Sequence, residues 1–287
     1  MKLGFILWRF IGLGLFLLSA GVATPHSLAK ISDSGIPSAH LKAGETGTVA
    51  RVIDGDSLVL KSGLRVSLSA IQAPKLAQRF SKNKDAKLKP AWPLANMSRS
   101  VLQDLTAGKQ VQLFYGGDKR DRYNRAVAQV YTLDKNGKPD IWLQQALVKA
   151  GAARVYSWQG YHQDTAKLYA AEVAARAAKR GIWNTKTTKE FYSIRKPDPN
   201  PLAQHVDSVQ IVEGIIIKSA SVRATIYLNF GADYKTDFTI AIPKKSRRAF
   251  KKAGLDPKTD LLNLTGAKVR VRGYIELYGG PIIWLND

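Results

Sequence analysis

The chain has no cysteine. That excludes disulfide staples, thiolate metal sites and cysteine nucleophiles, so the fold must be held by packed cores. Histidine is scarce as well. His26, His40, His162 and His205 are scattered with no pair at helical or hairpin spacing, which argues against a zinc hydrolase centre. Acidic side chains are in short supply, 22 Asp and Glu against 44 Lys and Arg, for a formal charge of +22. A field of that sign attracts polyanions. Nucleic acid comes first, with anionic lipid head groups or acidic envelope polymers as the alternatives.

What is present suffices for two modest domains, since 45% of the 287 residues are hydrophobic. The first 29 residues read as an export signal. Lys2 and Arg9 lead into Phe10-Ile11-Gly12-Leu13-Gly14-Leu15-Phe16-Leu17-Leu18, short for a membrane span and followed by small residues, with cleavage after Ala23 or Ala29. Arg9 stands late for such a signal, so an uncleaved anchor reaching back through Phe5-Ile6-Leu7-Trp8 is the other reading. Either way the protein is exported, periplasmic or secreted, and it meets a membrane only through an uncleaved N-terminus. Residues 30–46 carry Ser, Gly, Pro and Ala without a sustained period and read as a flexible lead-in.

From Gly47 the pattern is strand-like. Thr48 to Ile53, Ser57 to Leu60 and Leu64 to Ile71 are apolar-rich runs joined by the turn signals Asp54-Gly55 and Lys61-Ser62-Gly63. Met97, Val101, Leu102 and Leu105 then place a helix over residues 96–105, and Val111 to Tyr115 and Ala126 to Tyr131 restore strand alternation. Trp142 to Ala150 and Ala166 to Arg180 read as closing helices, each stopped by a glycine. Five strands with a helix after the third, then two helices, is the order of an OB-type barrel with appended helices.

Three segments carry a more specific signal: Ile53-Asp54-Gly55-Asp56-Ser57, Ala70-Ile71-Gln72-Ala73-Pro74-Lys75 and Asp121-Arg122-Tyr123-Asn124-Arg125. Together they resemble the thermonuclease (staphylococcal nuclease) family over about Gly47 to Trp183. The resemblance implies metal-dependent endonucleolytic cleavage of phosphodiesters, with Asp56 on a calcium-ligand position and Arg125 on the arginine that offsets charge building on the phosphate. It also exposes three departures. Ser67 stands where the family has a second phosphate-binding arginine, Gln72 where it has a second calcium carboxylate, and Lys75 where it has the glutamate assigned as general base.

The losses have physical consequences. Calcium needs several oxygen donors with enough negative charge to offset its dehydration, and Asp56 with a neutral Gln72 supplies about half of that charge. A cation at Lys75 cannot accept a proton, where general-base help is worth about 10² to 10⁴ in rate. Arg65 shares a strand face with Ser67 from roughly 6.6 Å away and compensates in part. Calcium binding is therefore expected to be weak. Arg65, Lys75 and Arg122 become candidate contacts to a phosphate backbone that is gripped more readily than it is cut.

Arg195-Lys196-Pro197-Asp198-Pro199-Asn200-Pro201 reads as an extended, semi-rigid spacer, placing a linker at 193–205 between a domain at 47–192 and another at 206–287. The second is again β-rich: Val209 to Ile217, Arg223 to Phe230 and Asp237 to Ile242, a helix over 244–253, then Lys268 to Ile275 and Pro281 to Leu285. The fold class expected is mainly β with appended helices, as tandem OB-like five-stranded barrels. In the last domain Lys268, Arg270 and Arg272 alternate with Val269 and Val271, which puts three cations on one strand face. With Tyr227, Phe230 or Tyr274 they form a candidate surface for single-stranded DNA or RNA; the same alternation also suits any half-buried strand. The functional expectation divides between a calcium-dependent nuclease with a depleted centre and a non-catalytic binder of nucleic acid or another polyanion.

Overall fold

The computed structural model describes residues 35–77, 90–157, 160–252 and 254–285. The expected signal segment and the start of the lead-in lie outside them. Among the described residues no helix is long and apolar enough to cross a membrane. The described residues form one compact unit.

The first half is built on β1 (Lys42–Asp54), β2 (Ser57–Leu60), β3 (Arg65–Leu68), β4 (Ile71–Gln72), α1 (Ala95–Thr106), β5 (Gln110–Tyr115), β6 (Ala126–Leu133) and β7 (Pro139–Trp142). These are followed by α2 (Leu143–Lys149), β8 (Arg154–Val155), α3 (Thr165–Ala177) and α4 (Thr185–Thr188). The strand order is β3-β2-β1-β5-β6-β7, and a parallel pairing of β3 with β6 closes the first five strands on themselves. β1 makes this closure feasible because its first part pairs with β5 and its last part with β2. That wiring is the five-stranded barrel the sequence order implied.

Inside lie Leu58, Leu60, Leu68, Leu113 and Val130, with Leu102 of α1 and Leu143 and Leu147 of α2 packed against them. Each fully buried leucine contributes about 1.5–3 kcal/mol, so these few dominate the local balance. β2 is buried along its whole length because neighbouring elements cover both faces.

Two elements depart from the sequence reading. β1 starts at Lys42, inside the expected lead-in, because Tyr115, Arg120 and Glu45 tie that stretch to β5 through polar bonds that no apolar period announces. Trp142 ends a strand instead of opening a helix: β7 pairs with β6, and the Trp142 ring stacks on Tyr131 at 6.1 Å while its Nε1 donates to Gln129.

The second half holds β9 (Ile194–Arg195), α5 (Pro199–Ala203), β10 (Val209–Ile215), β11 (Lys218–Val222), β12 (Thr225–Asn229), β13 (Thr239–Ile242), α6 (Arg247–Lys252), β14 (Lys268–Tyr278) and β15 (Gly280–Trp284). Its sheet runs β11-β12-β13-β15-β14-β10-β9. The pairing repeats that of the first barrel: β10 and β11 act as two halves of one interrupted strand, and β13 and β15 pair in parallel. Phe238, Ile226, Ile240, Ile275 and Ile283 form a separate core beneath it.

The segment expected to be an extended spacer is structured. Ile194 and Arg195 pair with β10, and Leu202 of α5 is fully buried. Proline at the helix start is compatible with that turn, because the first helical N–H groups need no intrahelical acceptor.

Candidate functional site

The turn between β1 and β2 is tight, with Asp54 paired to Ser57. Gly55 is required by close approach, since a Cβ there would lie 2.7 Å from the Ser98 Cβ and 2.9 Å from that of Ala73. The turn therefore presses against α1 and against the residue just after β4. This packing buries Asp54 and Asp56 to 5% and 6% exposure, which makes the disposition of their charges decisive.

Asp56 Oδ2 accepts from the Ala73 backbone N–H at 2.8 Å. Its two carboxylate oxygens lie 2.5 and 2.6 Å from Lys75 Nζ. The same ammonium stands 3.8 Å from Asp54 Oδ2. Burial pushes the Asp54 carboxyl above the usual range, against the pull of Lys75 and with the push of neighbouring Asp56. Lys75 itself is fixed in the chain, its carbonyl accepting from the Trp92 N–H at 2.8 Å. An ammonium thus sits against the carboxylate that the resemblance assigns to calcium.

Gln72 faces other work. Its Oε1 accepts from Arg154 Nε at 3.0 Å and Nη2 at 2.7 Å, and Arg154 also donates to the Val209 carbonyl. Burial brings the Arg154 guanidinium down to about 10. Among the described residues no three His, Cys, Asp or Glu side chains converge. With one carboxylate neutralised by Lys75 and the neighbouring amide oxygen held by Arg154, these donors do not fit a calcium ion.

The cations on the phosphate side are better placed. β3 and β6 pair with Val66 opposite Ala126, so Arg65 and Arg125 enter adjacent strands side by side. Ser67 lies opposite Ser57, the residue after Asp56, and Arg65 lies opposite Val59, two positions farther from that turn. Arg65 is exposed. Arg125 is clamped by Asp121, with Nε and Nη2 each 2.7 Å from Oδ2, and both Arg122 and Arg125 lie over the Tyr123 ring at 4.8 and 5.4 Å.

The Asp121 carboxyl is held below its usual range: burial would raise it, but bonds from the Arg125 backbone and side chain and from Tyr123 outweigh that. Asn124 occupies the left-handed region at φ 58, where the resembled motif has glycine. Asparagine tolerates that conformation, so the substitution keeps the turn.

The remaining candidates are not brought to this site. Lys268 and Arg270 both bridge Glu213. Arg272 turns inward, with Nη2 2.5 Å from Glu172 Oε1 and Nη1 bonded to Glu172 Oε2 and the Val155 carbonyl. The expected basic stripe is therefore not an open one, because each of its cations meets a carboxylate that sequence spacing alone did not reveal. Phe230 packs on Phe238 in the core at 5.1 Å, and Tyr274 donates to Asp207.

Sequence reasoning missed Glu172, buried in α3 and shared by Arg272, Arg176 and the Val155 N–H. A lone glutamate facing an alanine-rich stretch was the available signal. It also missed a cleft of about 550 Å³ where Lys75, Arg154, Arg195 and His205 meet. His205, scattered in sequence from the other histidines, is partly buried there, and burial followed by the Arg195 charge lowers its pKa.

Comparison with known proteins agrees with the barrel. Residues 65–185 match the family described as "Staphylococcal nuclease homologue". An "Uncharacterized endonuclease" of Escherichia coli O157:H7 is 33% identical over 141 residues, covering 48% of this chain and 76% of the relative. The "Micrococcal nuclease" of Shigella flexneri is 29% identical over 160 residues, 54% of this chain and 82% of its own length. A "Probable endonuclease LCL3" of Phaeosphaeria nodorum is 31% identical over 145 residues, but these are 45% of its length. With the closed barrel, the Asp54-Gly55-Asp56 turn and the Asp121 to Arg125 loop in place, the chain belongs to the staphylococcal nuclease homologue family.

Proposed function

We propose that this protein acts on single-stranded DNA or RNA by gripping the phosphate backbone at the Arg65 and Arg125 end of the first barrel, with phosphodiester hydrolysis slow or lost. The observation that carries the reading is the Lys75 ammonium on both oxygens of Asp56. It supplies a fixed positive charge where the family's chemistry uses calcium, and it offers no proton acceptor to activate water. Loss of the base alone costs about 10² to 10⁴ in rate. Loss of a charge-stabilising donor at Ser67 adds roughly another 10² to 10³. Arg125, oriented by Asp121, remains able to meet a phosphate.

We place the protein outside the cytoplasm, periplasmic or secreted, on the strength of the signal-like residues 1–29. Two separate apolar cores support the proposed domains at 47–192 and 206–287, the second OB-like by its strand pairing. A second reading, a working metal-dependent endonuclease, is favoured by the names of the bacterial relatives and by the intact Asp121 to Arg125 turn.

The test uses the full chain with single-stranded DNA and RNA in Ca²⁺, Mg²⁺, Mn²⁺ or EDTA, beside Asp56→Ala and Arg125→Ala. Expected are binding whose log affinity falls linearly with log salt, weakened by Arg125→Ala, and no metal-dependent cutting above background. EDTA-sensitive degradation that disappears in Asp56→Ala supports the second reading and overturns the first.

A further inference from the structure

Away from the first barrel, the second sheet carries a groove of about 550 Å³ on the face turned from its core. The register explains the shape. Ile226, Leu228, Ile240 and Ile283 point into the core, so their neighbours Tyr227, Asn229, Thr239 and Ile282 line the opposite face. Lys218, Asn229, Thr239 and Ile282 stand in one row across four strands. The polar part of this floor is satisfied internally, Thr239 Oγ1 donating to Asn229 Oδ1 at 3.1 Å.

The rim is aromatic and cationic. Tyr234 and Tyr278 are 65% and 71% exposed, too open to be core packing, and they flank the groove with Lys218 and Lys235. Its walls are held in place before any ligand arrives. Asp237 Oδ2 accepts from the Asp233 N–H at 2.7 Å, and Asp233 Oδ1 accepts from the Lys235 N–H at 3.0 Å. Gly279, at φ +77, and Gly280 let the Tyr278 hairpin lie flat on this loop, since a Cβ on either would sit 2.5 Å or less from a loop carbonyl. Asp233 and Asp237 thus serve the backbone, and among the described residues neither Lys218 nor Lys235 has a carboxylate partner.

We propose that this groove is a second nucleic-acid site, in which unpaired bases of a single strand stack on Tyr227, Tyr234 and Tyr278 while Lys218 and Lys235 meet the flanking phosphates. A planar, apolar-faced ligand with a negative charge to either side matches rings with ammonium groups beside them, and every nucleobase offers such a face. A duplex does not fit, because its bases are already stacked and paired. The volume lies in the range of sites that enclose a ligand of nucleotide size. No residue of this groove belongs to the first barrel, so the site stands apart from the backbone grip proposed above.

The experiment measures anisotropy of the full chain with a labelled thymidine oligomer, an abasic oligomer of equal length, and the thymidine oligomer annealed to its complement. Wild type should prefer the base-bearing single strand over both others. Tyr278→Ala and Tyr234→Ala should each remove about 5- to 100-fold of affinity for that strand only, and Tyr278→Phe should keep it. If an alanine variant fails to fold, nitration of wild type read by mass spectrometry replaces it: bound strand should protect Tyr234 and Tyr278. Equal affinity for thymidine and abasic strands, or tyrosines left unprotected, overturns the groove while leaving the first-barrel grip standing. Binding of neither strand removes both.

Discussion

At the scale of the residue, Lys75 decides more than any other side chain. Removing it leaves Asp54 and Asp56 buried without the ammonium between them, and Asp54 is already pushed up by burial. Loss of such a charged partner costs about 1–3 kcal/mol. An acid whose folded pKa is raised destabilises the fold once pH climbs through its unfolded value, and fully so above its folded one. Lys75→Ala should therefore lose most stability at neutral pH and recover toward wild type in acid, seen as converging Tm values. A Tm gap that stays constant with pH would contradict this. The double change Gln72→Asp with Lys75→Glu should restore carboxylate donors, so millimolar Ca²⁺ should raise the Tm of the double variant and leave wild type unmoved. Calcium stabilising wild type equally would show that the donors fit after all. The identities of Ser67, Gln72 and Lys75 were legible as departures from a motif. What they touch was not, because Arg154 reaches Gln72 across 82 positions and only the fold brings such partners together.

At the scale of the element, the barrel strands were legible because their apolar residues alternate, as in Val111 to Tyr115. The start of β1 was not, because Lys42 to Thr46 is held by a polar cluster instead of apolar burial. Glu45 accepts from the Tyr115 hydroxyl at 2.6 Å and from Arg120 at 2.5 Å. Burial would raise the Glu45 carboxyl, but the Tyr115 and Arg120 bonds outweigh it and bring it down to about 2. The same cluster pushes the Tyr115 hydroxyl up to about 12, chiefly through burial and then the bond to Glu45. A depressed acid stabilises the fold above its unfolded pKa and loses that contribution as pH falls through the folded value. The docking of β1 on β5 should thus weaken between about pH 4.5 and 2. Hydrogen exchange of the Thr46 and Gly47 amides should accelerate over that window in wild type and be fast throughout in Glu45→Gln. Exchange independent of pH after correction for intrinsic rates would contradict the assignment. Of the second sheet's first hairpin, β12 was legible within Arg223 to Phe230 but β11 was not, for a related reason: Lys218 to Val222 shows little apolar alternation, since one of its faces lines an open groove.

At the scale of the whole molecule, the two β-rich halves are fastened by charge at their contact. Arg272 of β14 bonds Glu172 of α3 with both partners nearly buried, its guanidinium lies 5.5 Å from the Tyr169 ring, and Arg154 reaches the Val209 carbonyl at the start of β10. Ile211 joins Ala175, Ile182, Trp183 and Tyr192 in an apolar cluster drawn from both halves. The segment between them adds a strand to the second sheet, so these contacts are expected to couple the halves in unfolding as one cooperative unit. Breaking a buried pair by removing one partner costs about 3–5 kcal/mol, because the other charge stays buried. Arg272→Ala should lower Tm by at least about 6 °C at the usual entropy of unfolding for chains of this size. Calorimetry should then resolve two transitions in place of one. Arg272→Met with Glu172→Gln removes both charges while leaving an acceptor for the Val155 N–H, and should recover most of the loss and the single transition. If Arg272→Ala melts like wild type, the pair does not fasten the halves and the apolar cluster alone must do so. If the double variant melts as low as the single one, the cost comes from lost packing of the long side chain and not from a stranded carboxylate.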